Sequence, residues 1–373
     1  MNQRTFDYII LITLFILFSI GIWQRDFSIV KATYSIKWGF LIFALAYNII
    51  VLRSAKGYFT IELILMFCFI VVVTISTWKS DYLNTEGFFN IIILLIIFLL
   101  SFIYKFESYL VFKSLGIVAL LLVLSSSLFI FEQSYWGGAR FKGLFDNTNS
   151  LGSIAVFSSV FCSYLLDKHR NYISASVLAI SLITILFTQS RGAMLGLVSA
   201  FFIISLTRFS MKNSLVFIFF SSFVYFGFEF LAKMLINFES RDVELSLDIA
   251  RHEMLINYLD IFQSQPLLGT GLSTDDYGFG RFKSELAYFD ILGYSGLIGL
   301  IFFLLALIVR CIRFSYGINS LSLYEKYSFA GFFAILVMSI GDGYVSNIGN
   351  PLSIFFWLFL GAALKVDYEK YRR

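Results

Sequence analysis

Long runs of apolar residues dominate the chain, and they show neither strand-like alternation nor a single polar face. Residues 8–24, 63–78, 87–104 and 114–131 contain no charged side chain. A helix needs about 20 largely apolar residues to cross a hydrocarbon core of about 30 Å, whereas a membrane β-barrel would show alternating segments of about ten residues. The pattern therefore predicts an all-α, polytopic integral membrane protein with about twelve transmembrane helices.

The predicted spans follow one another closely, except for one long gap before the tenth. They are 8–23, 37–52, 60–77, 87–104, 110–131, 150–166, 172–188, 192–207, 214–235, 286–309, 326–341 and 351–365. Residues 189–192 must contain a turn, because an unbroken segment through them would be too long for one crossing. We find no repeat and no low-complexity linker, so residues 1–373 are predicted to form a single membrane domain.

The gap at 236–285 is predicted to be a long external loop. Leu245, Ile249, Ile256, Leu259 and Phe262 recur in it at helical spacing, which predicts an amphipathic helix lying on the membrane domain.

Charge decides the orientation, because Lys and Arg accumulate in the short loops on the cytoplasmic side of bacterial membrane proteins. With the N-terminus inside, the inner side holds Arg4, Arg53, Lys56, Lys105, Lys113, Lys168, Arg170, Arg208, Lys212, Arg310, Arg313, Lys326, Lys365, Lys370, Arg372 and Arg373. The short outer loops hold only Arg25, Lys31, Lys37, Lys79, Arg140, Lys142 and Arg191. Both termini are therefore predicted to be cytoplasmic. The net charge of +4 resides mostly in these loops and does not indicate nucleic-acid binding.

Cations on the predicted outer side oppose this bias and are candidates for function. Arg140 and Lys142 precede the sixth span, Arg191 lies in the tight turn, and Arg241 and Arg251 lie in the long loop. Arginine forks bind phosphate oxygens through paired hydrogen bonds, so together these residues could form an anion-binding pocket. Alternatively, Arg140 and Lys142 are ordinary loop cations, and Arg241 and Arg251 pair with neighbouring acids on a solvated helix.

Acidic side chains are also predicted near the outer face. Glu229 and Asp290 fall inside apolar segments, where an ionisable group is a functional candidate by default. The others are Asp275, Asp276, Glu285 and Asp342. The pair Asp275–Asp276 has no third ligand at a recognisable spacing, so no metal site is predicted.

Four motifs resemble those of the O-antigen ligase and polymerase superfamily. Residues 143–152 resemble its G-x-F-x-N-x-N-x-x-G signature, and residues 188–193 its T-x-S-R-G turn. Arg251 followed by the P-x-x-G-x-G of 266–271 is similar to its loop pattern, and residues 285–299 resemble the element that closes the loop. Each motif alone is weak, but the four occur in the family's order over residues 140–300.

The resemblance implies a glycosyltransferase that acts on undecaprenyl-pyrophosphate-linked sugars at the outer face of the bacterial inner membrane, without cofactor or metal. Arg191, Arg241, Arg251, Glu285 and Asp290 are then the implied catalytic residues. The implied substrate-binding residues are Arg140, Lys142, Asn147, Asn149 and Tyr288. The partners implied are the lipid-linked oligosaccharide, membrane lipid and, in the polymerase branch, a chain-length regulator protein.

The family's ligases usually carry His-Asn where this chain has Glu285 and Leu286, which favours the polymerase branch. A ligase that transfers glycan to lipid A core or protein is the alternative within the family. A flippase or exporter is an alternative from another class, although it should show inverted repeats or paired broken helices, and the sequence shows neither. An apolar scaffold without chemistry is the third, and the outer arginines oppose it.

The orientation is tested by reporter fusions along the chain. Fusions after Asn171, Asn213 and Asn319 should report the cytoplasm, and those after Asn84, Asn147 and Ser264 the external side, because of the lysine and arginine distribution. An external signal at Asn213 would contradict the arrangement.

Overall fold

The computed structural model describes residues 3–23, 28–51, 61–79, 85–103, 108–207, 262–272, 286–317, 321–346 and 349–360. Three predicted site residues, Arg241, Arg251 and Glu285, lie outside these ranges, as do the predicted ninth span and most of the external loop.

Helices make up almost all of the described chain. They are α1 Gln3–Ile20, α2 Ser28–Val51, α3 Ile61–Lys79, α4 Thr85–Ile103, α5 Ser108–Ser127, α6 Thr148–His169, α7 Tyr172–Thr188, α8 Arg191–Thr207, α9 Ala287–Gly317, α10 Leu323–Met338 and α11 Pro351–Leu360. A short hairpin of β1 Trp136–Gly137 and β2 Arg140–Phe141 joins α5 to α6. The prediction of an all-α membrane protein is confirmed in this coarse form.

The number of spans stays a prediction. Three stretches in the described ranges are long and apolar enough to cross a membrane by themselves: Tyr109–Ser127, Thr148–His169 and Ala287–Tyr316. Seven further apolar helices are shorter. Every predicted span other than the ninth overlaps one described helix.

Helix α6 lies at the centre of the bundle. From Leu151 to Tyr164 all its residues are buried, and it packs against α5, α7, α8 and α10. Aromatic rings fill the space around it, with Phe157 contacting Phe112 and Phe355. Two other helix pairs, α3 with α9 and α8 with α10, pack closely beside this centre.

The α7–α8 turn is tighter than predicted. Helix α7 ends at Thr188 and α8 begins at Arg191, so Gln189 and Ser190 alone make the turn, whereas the sequence predicted residues 189–192. Gln189 adopts a left-handed conformation with φ of 50°, and the Ser190 hydroxyl accepts the Ala193 amide at 3.3 Å. The turn closes early because this serine caps α8.

Helix α9 is not the uninterrupted span that the sequence predicted at 286–309. Gly296 has φ of 62° and ψ of −169°, a conformation outside the helical region that glycine alone adopts readily. A side chain there would also collide with Leu267, since a Cβ atom would lie 2.4 Å from its carbonyl.

A returning loop, residues 265–272, supplies the hydrogen bonds that this break removes. The bonds run from Thr270 N to Gly293 O (2.9 Å), Gly271 N to Tyr294 O (3.0 Å), Leu297 N to Pro266 O (2.9 Å) and Ile298 N to Leu267 O (3.2 Å). Irregular backbone is tolerated at membrane depth only where protein satisfies its polar groups. The P-x-x-G-x-G motif therefore serves to seal the broken helix.

Candidate functional site

One end of the bundle carries a connected set of polar side chains, and we call it the site end. There α7 ends, α8 begins, and the hairpin before α6 lies against both. The hairpin pairs Gly137 with Arg140 and Trp136 with Phe141. Phe141 is fully buried, so the hairpin anchors the Arg140 backbone and holds its half-buried side chain close to the bundle.

Arg140 begins a chain of hydrogen bonds that crosses this end. Its Nε donates to the Thr188 carbonyl at 3.0 Å, and its Nη2 donates to Asn149 Oδ1 at 2.9 Å. Asn149 Nδ2 donates in turn to Asp342 Oδ1 at 3.0 Å. An asparagine amide can accept on one side and donate on the other, so Asn149 links the Arg140 cation to the Asp342 carboxylate.

The segment 342–346, which follows α10, forms the second side of the site. The Tyr344 hydroxyl donates to the Asn149 carbonyl at 2.9 Å, and the Ser346 hydroxyl donates to Asp290 Oδ2 at 2.8 Å. Asp342 is 8% exposed and Asp290 4%. This segment therefore ties the start of α6 and the start of α9 to the same place.

Asp342 also lies against the beginning of α8. Its Oδ2 is 2.8 Å from the position that a Cβ atom would take on Gly192, so glycine is the residue that leaves room for the carboxylate. An acid at a helix N-terminus is stabilised by the unpaired amides and dipole there. Arg191, the first residue of α8, is exposed beside it.

Gly152 brings two of the sequence motifs together. A Cβ atom on it would lie 2.9 Å from Thr188 Oγ1 and 3.0 Å from Ser190 Cβ. The last glycine of the N-x-N-x-x-G motif thus allows α6 to touch the T-x-S-R-G turn directly. The two motifs are separate in the sequence, and the structure places them in contact.

The other predicted residues have more local positions. Asn147 is exposed and caps α6, accepting the Asn149 amide at 2.9 Å. The Tyr288 hydroxyl donates a hydrogen bond to the Leu336 carbonyl at 2.9 Å. Lys142 is half-buried, and its backbone amide donates to Tyr135 at 3.0 Å. These contacts explain how each residue supports the fold, while a role in binding substrate stays a prediction for all three.

Sequence reasoning did not select Asp342, Tyr344 or Ser346 as site residues. Asp342 was noted only as one of several acids near the predicted outer face. The available signal was an acid directly after an apolar segment, close to a tyrosine, and it was not combined with the earlier motifs because about 190 residues of chain lie between them.

The arrangement offers cationic and hydrogen-bonding groups to an anion at a membrane surface. Arg191 is exposed at the first position of α8, where its guanidinium is accessible to an anion. Within the described ranges, no three His, Cys, Asp or Glu side chains are grouped closely enough to hold a metal ion.

These features define a helical, membrane-embedded protein with a polar site at one end of its bundle. Residues 176–304 match the family model described as O-antigen ligase. The match confirms the resemblance to the O-antigen ligase and polymerase superfamily. It includes Arg191 and Asp290, while Arg140, Asn149 and Asp342 lie on either side of the matched region. No curated protein matches the chain.

The Asn149 link can be tested by replacement with a similarly sized apolar residue. Asn149→Leu removes one hydrogen-bond partner of Arg140 Nη2 and one of Asp342 Oδ1, and each lost bond costs about 1–3 kcal/mol. Asn147→Ala, at the same end of α6, removes only a helix cap and should cost about 1 kcal/mol. Melting temperatures in detergent should therefore be clearly lower for Asn149→Leu. Equal values for the two variants would contradict a structural role for the link.

Proposed function

We propose that this protein is a membrane glycosyltransferase that polymerises undecaprenyl-pyrophosphate-linked oligosaccharide repeats into O-antigen or a related surface polysaccharide. The family match supports a sugar-transferring enzyme of this pathway. The main structural support is the exposed Arg191 at the first position of α8, backed by Asp342 and the Arg140–Asn149 link.

The proposed reaction is a displacement at an anomeric carbon. A hydroxyl oxygen of one repeat bonds to the anomeric carbon at the pyrophosphate end of another glycan, and the carbon–oxygen bond to pyrophosphate breaks. Undecaprenyl pyrophosphate leaves with the electron pair, the hydroxyl proton passes to a base, and the anomeric centre is inverted. Negative charge grows on the leaving group, so fixed cations near it would stabilise the transition state.

Arg191, Arg241 and Arg251 are proposed to hold the pyrophosphate. Arg191 suits this role because its side chain is exposed at the site end and a guanidinium can make a two-point contact with phosphate oxygens. Arg140 suits it less, since its guanidinium already donates to Thr188 and Asn149. We assign Arg140 and Asn149 to shaping the turn that presents Arg191, with Lys142, Asn147 and Tyr288 as candidates for glycan contacts.

The acids divide between a chemical and a structural role. Asp290 is 4% exposed and accepts the Ser346 hydroxyl, which supports a role in joining α9 to segment 342–346. Glu285 is then the preferred candidate for the base that accepts the hydroxyl proton.

We further propose that the protein resides in the bacterial inner membrane with both termini cytoplasmic, so that the site end faces outward. A lipid-linked donor would reach this end from within the bilayer. A chain-length regulator protein would be an additional partner.

Two alternatives make different glycans. A ligase would transfer existing chains to lipid A core or protein, so a deletion strain would lose all attached repeats, whereas loss of a polymerase leaves a single attached repeat. A flippase is less well supported, because transporters typically pair two broken helices and the described ranges contain one, α9. A deletion strain with wild-type chain lengths would contradict polymerisation.

Arg191 provides the most direct mutational test. Arg191→Ala should abolish polymer while the protein still accumulates in the membrane, and Arg191→Lys should fail or nearly fail because an ammonium cannot make a two-point phosphate contact. Arg170→Lys is the matched control, since Arg170 is an exposed arginine at the opposite end of α6. Polymer length and protein level are measured together in the deletion strain. Full-length polymer from Arg191→Lys would exclude the two-point contact.

The two acids should respond differently to neutralisation. Glu285→Gln should lower activity by about 10²–10⁴-fold, the usual contribution of a general base, without loss of protein. Asp290→Asn should lower protein level as well, because a buried charge with its partners is replaced. Polymer length and membrane protein level are compared in both variants. Wild-type polymer from Glu285→Gln would end its candidacy as the base.

A further inference from the structure

The returning loop, residues 265–272, is held on its other side by helix α3. The Ser76 hydroxyl donates to the Gly269 carbonyl at 2.8 Å, and the Thr77 hydroxyl accepts the Leu272 amide at 3.0 Å. Ser76 is 1% exposed and Thr77 0%. Helix α3 lies outside the four motifs and outside the family match, so nothing in the sequence connected it with the site.

The hydroxyls of Ser76 and Thr77 differ from others in the bundle in the partners that they bond. A hydroxyl within a membrane helix commonly donates to a carbonyl of its own helix. Thr74 does so with Ile70 at 2.8 Å, and Ser159 does so with Ala155 at 2.8 Å. Ser76 instead donates across to the loop, and Thr77 both donates to Val73 and accepts from Leu272. The pair is therefore directed at the loop.

Backbone packing makes the contact close. A Cβ atom on Gly271 would lie 2.4 Å from Thr77 Cα, and Gly271 has φ of 79°. The loop thus approaches the α3 backbone so nearly that only glycine fits between them. Within the membrane domain, where water is scarce, the Gly269 carbonyl and the Leu272 amide depend on protein partners.

The returning loop joins α3 to α9. It pairs with α9 across the Gly296 break, and it is bonded to α3. The first part of α9, before the break, carries Asp290. A shift of the loop on α3 would therefore move the start of α9 with it.

We propose that Ser76 and Thr77 are positioning residues for the glycosyl transfer: they fix the returning loop, and through it the start of α9 with Asp290, relative to Arg191. This inference rests on the proposed polymerase function. Neither hydroxyl touches the reacting atoms. A displacement of about 1 Å in the groups that bind substrate can lower a rate by about 10²-fold.

Thr77→Val is the central test, because valine keeps the shape of threonine and removes its oxygen. Thr74→Val is the matched control. It makes the same chemical change three residues earlier in α3, at a hydroxyl that donates to the Ile70 carbonyl of its own helix and not to the loop. Thr77→Ser should restore the wild-type behaviour, since serine can still accept the Leu272 amide.

Two readouts are measured on the purified full-length chain. The first is the rate of polymerisation of a lipid-linked repeat, with kcat and KM determined separately. Thr77→Val should lower kcat between about 10- and 100-fold relative to Thr74→Val, with less change in KM.

The second readout is the rate of thiol labelling, which does not depend on activity. A Thr270→Cys thiol, in a chain whose Cys68, Cys162 and Cys311 are replaced by Ala, is labelled with a polar maleimide. Thr270 is 6% exposed, so labelling should be slow and should accelerate in Thr77→Val.

The outcomes separate the two hypotheses. Equal labelling rates in Thr77→Val and Thr74→Val would overturn the inference whatever the polymerisation result. Faster labelling with unchanged kcat would also overturn it, because the loop would then be held without consequence for the reaction. Faster labelling of Thr77→Val than of Thr74→Val, together with a wild-type chain that makes no polymer, would support the contact between the loop and α3 and contradict the polymerase function.

Discussion

The fold depends on one requirement: backbone amides and carbonyls inside a membrane domain must find partners within the protein. Most do so inside continuous helices. Where α9 breaks at Gly296, the returning loop pairs with residues 293–298 on both sides of the break. Helix α3 then satisfies the far side of that loop through Ser76 and Thr77. A single local departure from helical geometry therefore determines how three elements pack.

At the site end, polar side chains also find their partners within the protein. Asn149 connects Arg140 to Asp342, and Asp342 lies at the N-terminus of α8 beside Arg191. Cation and acid share an amide between them, so each keeps a partner, and Arg191 is left exposed at the protein surface. This rigid frame around one exposed arginine is what the proposed pyrophosphate contact requires.

The helices and the class of protein could be predicted from sequence, because apolar length alone identifies a membrane helix. The family was recognised from short motifs, whose glycines and asparagines match local needs such as the Asn147 cap and the close approach at Gly152. The α9 break was missed because the glycine there sits in an otherwise ordinary apolar run. Asp342 and Ser76 were missed because their partners lie about 190 residues away, and no local pattern reveals such pairs.

That separation also bears on how the chain is made. Asn149 enters the membrane long before Asp342 and Tyr344, its partners 193 and 195 residues later, have been synthesised. Ser76 and Thr77 are likewise synthesised 193 and 195 residues before their partners Gly269 and Leu272. Both sets of polar groups therefore spend most of translation without their final contacts. The site end is completed only when the last helices are in place, so a chain that stops before α10 would keep the bond between Arg140 and Asn149 but lack Asp342 and Tyr344.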